Sequence, residues 1–114
     1  MSKITTHVLD TTRGRPAAGI PVTLDFQVSA EEWKQLGKGI TDADGRIQTL
    51  MDTAGGLITG VYRLTFATSV YFTSQSTKGF YPHVVISFYV TDPAEHYHVG
   101  LTLSRYGYTT YRGS

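Results

Sequence analysis

Apolar residues recur at every second position in short runs along this chain, and that period restricts the fold more than any other feature. The cleanest run places Val22, Leu24, Phe26 and Val28 on one face, interleaved with Thr23, Asp25 and Gln27. Successive side chains of an extended strand point to opposite faces, so a period of two marks a half-buried strand. The pattern returns in Tyr62, Leu64 and Phe66, in Val84, Ile86, Phe88 and Val90, and in Val99, Leu101 and Leu103. A first strand covers Ile4 to Asp10 and closes at the turn-rich Arg13-Gly14-Arg15-Pro16. Trp33 lies early in a third strand, where packing is its expected role. Asp44-Gly45 reads as a hairpin turn of type I′, in which both central residues take positive φ. Gly55-Gly56 and Asp92-Pro93 punctuate the rest. One segment, about Ser69 to Gln75, reads as a short helix with Tyr71 and Phe72 inward. Eight short strands at fairly even spacing predict an all-β sandwich, favoured over a barrel or propeller by the absence of a blade repeat.

Composition narrows what such a fold does. With 114 residues the chain reads as one domain, residues 1–114. Ten basic and nine acidic residues are well interspersed, for a net charge of +1, so no concentrated basic face is present for nucleic acid or a membrane surface. The absence of cysteine removes both disulfides and a thiolate nucleophile. The first ten residues contain no apolar signal core and no run is long enough to span a bilayer, so a cytoplasmic protein is expected.

Period two also sorts the polar residues. If Ile4, Thr6 and Val8 face the core, then Thr5, His7 and Leu9 face outward. His98, Gly100 and Thr102 lie opposite Val99, Leu101 and Leu103, and Gly107, Thr109, Tyr111 and Gly113 share a face of the terminal strand. His7, His98 and Tyr111 therefore meet if their strands are neighbours, and Ser104-Arg105 between the last two strands favours that pairing. Small residues beside larger polar ones suggest a close approach by a ligand or another subunit. His96 and His98 share a strand face and leave weak chelation open, but no spacing matches an H-E-x-x-H metal motif, and no metal is expected. Arg46 opens the strand after the Asp44-Gly45 turn. No phosphate loop and no G-x-S-x-G elbow is present. Enzymatic chemistry on this chain would be histidine and arginine chemistry on a small polar heterocycle or carbonyl.

Three segments together resemble the transthyretin-like family. His7-Val8-Leu9-Asp10, Gly14-Arg15-Pro16-Ala17 and Ile20-Pro21-Val22 resemble its N-terminal signature, and the run from Tyr97 to Thr109 its C-terminal one. The ending Tyr111-Arg112-Gly113-Ser114 resembles the branch that hydrolyses 5-hydroxyisourate rather than the hormone carriers. Gly100 stands where the family usually has alanine or proline, and Arg105 where it usually has proline.

The resemblance implies an eight-stranded Greek-key β-sandwich with one short helix. It also implies a homotetramer, a dimer of dimers whose active sites form where outer sheet faces meet at the dimer–dimer interface. It implies His7, Arg46 and His98 as catalytic residues, with Tyr111, Arg112 and Ser114 joining His7 and Arg46 in binding substrate, and no cofactor. The implied reaction adds water at a ring carbonyl and breaks the adjacent C–N bond, giving 2-oxo-4-hydroxy-4-carboxy-5-ureidoimidazoline. Imidazoles suit activation of that water near neutrality; which of the two acts as base is left open by the sequence.

Overall fold

The computed structural model describes residues 3–51 and 56–113, so Ser114 and Gly55 lie outside the described residues. The strands are β1 (Ile4–Asp10), β2 (Arg15–Pro16), β3 (Pro21–Ser29), β4 (Glu32–Ile40), β5 (Arg46–Ile47), β6 (Gly60–Phe66), β7 (Val84–Val90), β8 (Tyr97–Leu103) and β9 (Tyr108–Gly113), with helix α1 (Thr68–Ser74) between β6 and β7. One sheet runs β2-β1-β8-β9 with β5 also paired to β1, and the other runs β4-β3-β6-β7. The result is the two-sheet sandwich that the alternation predicts, with the Greek-key order that the resemblance implies. A ninth strand appears because Arg15–Pro16, read as turn, forms a two-residue ladder with Leu9 and Asp10.

The two inner faces enclose one apolar cluster. Ile4 and Val8 from β1 and Leu101 and Leu103 from β8 pack towards Leu24, Tyr62, Leu64 and Phe66 of the second sheet. Strict alternation fails along β3, where the register shifts between Leu24 and Asp25 and again between Gln27 and Ser29. Val28 thus ends up 53% exposed, while Asp25 is buried and accepts from the Arg63 guanidinium. That guanidinium also lies 4.1 Å from the centre of the Trp33 ring, which fixes Trp33 as an outer-face packing residue.

Helix α1 begins one residue earlier than the sequence predicts and presents Tyr71 and Phe72 to the core. The Tyr71 hydroxyl donates to Asp10 Oδ2 at 2.6 Å, and Asp10 Oδ1 accepts the Arg13 N–H at 3.1 Å. The helix is thereby tied to the end of β1. Burial, reinforced by the Asp10 carboxylate, raises the Tyr71 pKa.

The expected hairpin at Asp44-Gly45 takes a different form. Asp42 Oδ1 accepts from Asp44 N and Arg46 N, both at 2.9 Å, and Gly45 N donates to Asp42 O at 2.9 Å. Only Gly45 takes positive φ, +74°, which rules out type I′. Instead of joining paired strands, the turn carries the chain from β4 in one sheet to β5 in the other. A side chain at Gly45 would meet the Val8 carbonyl at 2.3 Å, and the Val8 N–H donates to Gly45 O at 2.8 Å. Glycine is therefore required for this turn to press against β1.

Candidate active site

Three strands from distant parts of the chain bring the polar residues together. β1 runs parallel to β8, pairing Thr5 with His98, His7 with Gly100 and Leu9 with Thr102. β9 runs antiparallel on the other edge of β8, pairing His98 with Gly113, Gly100 with Tyr111 and Thr102 with Thr109. β5 adds the fourth member, with Arg46 opposite His7. One row across the outer face thus reads Arg46, His7, Gly100, Tyr111, and the next reads Thr5, His98, Gly113. With strands about 4.8 Å apart, His7 and Tyr111 sit roughly 10 Å apart at Cα within one chain.

Two glycines in these rows act as floors for rings. A Cβ on Gly100 would lie 2.2 Å from Tyr111 Cζ, and one on Gly113 would lie 2.5 Å from His98 Cδ2. The Tyr111 ring therefore lies down across β8, and the His98 ring lies across β9. The sequence pointed to small residues on this face but did not say which ring each one serves.

His98 spans the second row. Its Nδ1 is 2.7 Å from Thr5 Oγ1, and that hydroxyl is also 3.1 Å from His96 Nε2. The His96 and His98 rings stack with centroids 6.5 Å apart. The pair that the sequence left open as a weak chelate is thus bridged by a threonine that sequence reasoning had placed on this face without a role. Burial lowers the His98 pKa first, and the positive charges of Arg46, His7 and His96 lower it further. A neutral imidazole beside a guanidinium on a partly buried face suits proton abstraction and oxyanion stabilisation.

Arg112 is not brought into this cluster. Its position on β9 opposes Val99, and its guanidinium donates to Glu95 Oε1 at 3.0 Å and to the His96 carbonyl at 3.3 Å, above the Tyr97 ring. Arg46 pairs with no carboxylate side chain among the described residues. A cleft of about 680 Å³ between α1 and the Ser76–Pro82 segment contains neither histidine nor carboxylate. A groove of about 430 Å³ between the β7 and β9 edges borders the site, with Tyr97, His98, Tyr111 and Arg112 along one wall.

The family model for the HIUase/Transthyretin family matches residues 4–113. This chain belongs to that family. A 5-hydroxyisourate hydrolase of Salmonella typhimurium is 43% identical over 111 residues, covering 97% of this chain and 80% of the relative. Among solved structures, the Klebsiella pneumoniae 5-hydroxyisourate hydrolase superposes with a TM-score of 0.83 at 32% identity, covering 97% of this chain and 98% of that one. Sea bream transthyretin in complex with thyroxine superposes with a TM-score of 0.89 at 30% identity, covering 98% and 95%. The sandwich is common to both, so the side chains on the outer face, and not the fold, distinguish hydrolase from carrier.

Proposed function

We propose that Arg46, His7 and His98 carry the reaction of this chain, the hydrolysis of 5-hydroxyisourate in urate degradation. One observation supports this assignment above others: two imidazoles and a guanidinium from β1, β8 and β5 share adjacent rows of one face. His98, held neutral by its surroundings, takes the proton from water. The resulting hydroxide adds to a ring carbonyl, Arg46 steadies the developing oxyanion through its planar fork, and His7 supplies a proton to the departing nitrogen. The C–N bond breaks and the ring opens to a carboxylate. Tyr111 orients the heterocycle, while Arg112 holds the end of β9 in place and Ser114 completes the tail.

In one protomer this face is open, with Tyr111 46% exposed. A homotetramer in which two such faces stack would close the cleft and exclude water from the reacting ring. Membership of the same family supports that assembly, and sedimentation at assay concentration tests it. Among the described residues no helix is long and apolar enough to cross a membrane. A cytoplasmic location is part of the same proposal.

His7→Asn, His98→Asn and Arg46→Ala should each lower turnover at least about 10²-fold with the fold intact. Near-normal rates in all three would overturn the assignment. A second reading, binding without turnover, draws on the likeness to the thyroxine-bound transthyretin. The decay of freshly made 5-hydroxyisourate with and without protein separates the two.

A further inference from the structure

The hydroxyl of Thr5 sits between two imidazoles, and it has a single proton to give. It can donate to only one ring at a time, and when it accepts from the other the two histidines take opposite roles. When His98 Nδ1–H donates to Thr5, the Thr5 O–H donates to His96 Nε2, and His98 Nε2 is left as a free lone pair. When His96 Nε2–H donates to Thr5, the Thr5 O–H donates to His98 Nδ1, and His98 Nε2 bears hydrogen. The first arrangement is a base and the second an acid. His98 Nε2 has no hydrogen-bond partner among the described residues, whereas His96 is exposed in the segment just before β8.

We propose that His98, Thr5 and His96 form a proton relay that carries the proton taken from the attacking water out of the cleft to solvent, with Thr5 and His96 as positioning residues for His98. The inference rests on His98 being the base. The proton count closes at each step. His98 Nε2 gains a proton from water; its Nδ1 proton passes to Thr5 Oγ1; the original Thr5 proton passes to His96 Nε2. His96, now cationic, loses its Nδ1 proton to bulk water. His98 ends neutral with hydrogen on Nε2, His7 remains the donor to the leaving nitrogen, and proton exchange with solvent at both ends of the relay resets the base.

The charges around the relay come from every neighbouring element. Arg46 on β5 and His7 on β1 face His98 and oppose a lasting positive charge on it. Around His96 stand the Glu95–Arg112 ion pair, reaching across from β9, and Lys3, whose Nζ donates to the Ala94 carbonyl at 2.9 Å. His96 is open to solvent, whereas His98 is half-buried beside Arg46 and His7. The relay therefore leads from the half-buried ring to the exposed one.

The test compares Thr5→Val, Thr5→Ser and His96→Gln with His98→Asn. Thr5→Val keeps shape and loses the hydroxyl. It should lower kcat about tenfold or more with little change in KM and move the acid limb of the kcat profile, while Thr5→Ser recovers most of the loss. His96→Gln should lose rate in weak buffer and regain it when free imidazole is added as an external proton acceptor. In mixed H2O/D2O the wild-type rate should respond with the curvature of several protons in motion, and Thr5→Val with that of fewer. Normal kcat and an unshifted profile in Thr5→Val would end the relay, as would a His96→Gln defect that imidazole leaves untouched. If His98→Asn is inactive in that same set, only the relay has failed. If His98→Asn is fully active, the site assignment fails first.

Discussion

Gly100 and Gly113 set the height at which two functional rings lie. Because a Cβ at Gly100 would overlap the Tyr111 ring, Gly100→Val should lift that ring into the cleft, lower kcat/KM about tenfold and leave the melting temperature little changed. Steady-state kinetics beside thermal melting checks both halves. His98 carries a second prediction. Its folded pKa lies below the ordinary imidazole value, so the unfolded chain binds the proton more readily. Stability should therefore fall as pH drops below about 6.5. Urea unfolding across that range should show a shallower loss in His98→Asn, which has nothing to protonate at this position. The outward placement of His7 and His98 was legible from the period of two, whereas Arg46, on a two-residue strand, was singled out by its place after the turn and by the resemblance. Thr5 was legible only as an outward residue, because its value comes from lying opposite His98, and pairing of strands 93 positions apart leaves no mark on local sequence.

The segment that delivers Arg46 is the least predictable part of the site. Asp44-Gly45 has the composition of a hairpin, yet the chain leaves β4 and crosses to the other sheet, because Gly45 docks on Val8 and Asp42 holds the loop from within. Removing the Asp42 carboxylate should loosen Arg46 without removing it. Asp42→Ala should thus have a kcat/KM between those of the wild type and Arg46→Ala, with melting measured in parallel to separate positioning from unfolding. Helix α1 offers the opposite contrast, recognisable from sequence to within a residue because it interrupts the period of two. Its contribution is structural: Tyr71→Phe strands the buried Asp10 Oδ2. Denaturant unfolding should register a loss of about 1–3 kcal/mol, while activity per folded molecule stays normal. The strand count and the exposure of Val28 escaped the sequence for related reasons. A two-residue ladder at Arg15–Pro16 has no periodicity to detect, and a register slip reverses alternation without changing composition.

Across the assembled sandwich, both β7 and β9 are edge strands, and the outer face of the β1-β8-β9 sheet presents the proposed catalytic residues in the open. Deleting residues 112–114 should remove the Arg112 strut to Glu95 and the His96 carbonyl and reduce turnover more than it reduces assembly. Rate and sedimentation measured on the same sample decide this. Retained rate per folded site with loss of assembly would make the tail a purely structural element. The proposed stacking of copies comes only from family resemblance, since a face that is half polar in one chain looks alike whether water or a second copy covers it.

The parallel pairing of β1 with β8, followed by β9 on the far edge, has one more consequence. The imidazole at position 7 is synthesised well before Gly100 and Tyr111, which it meets across the sheet. A nascent chain that has not yet reached β9 cannot form the proposed catalytic face, which arises only when the late strands dock.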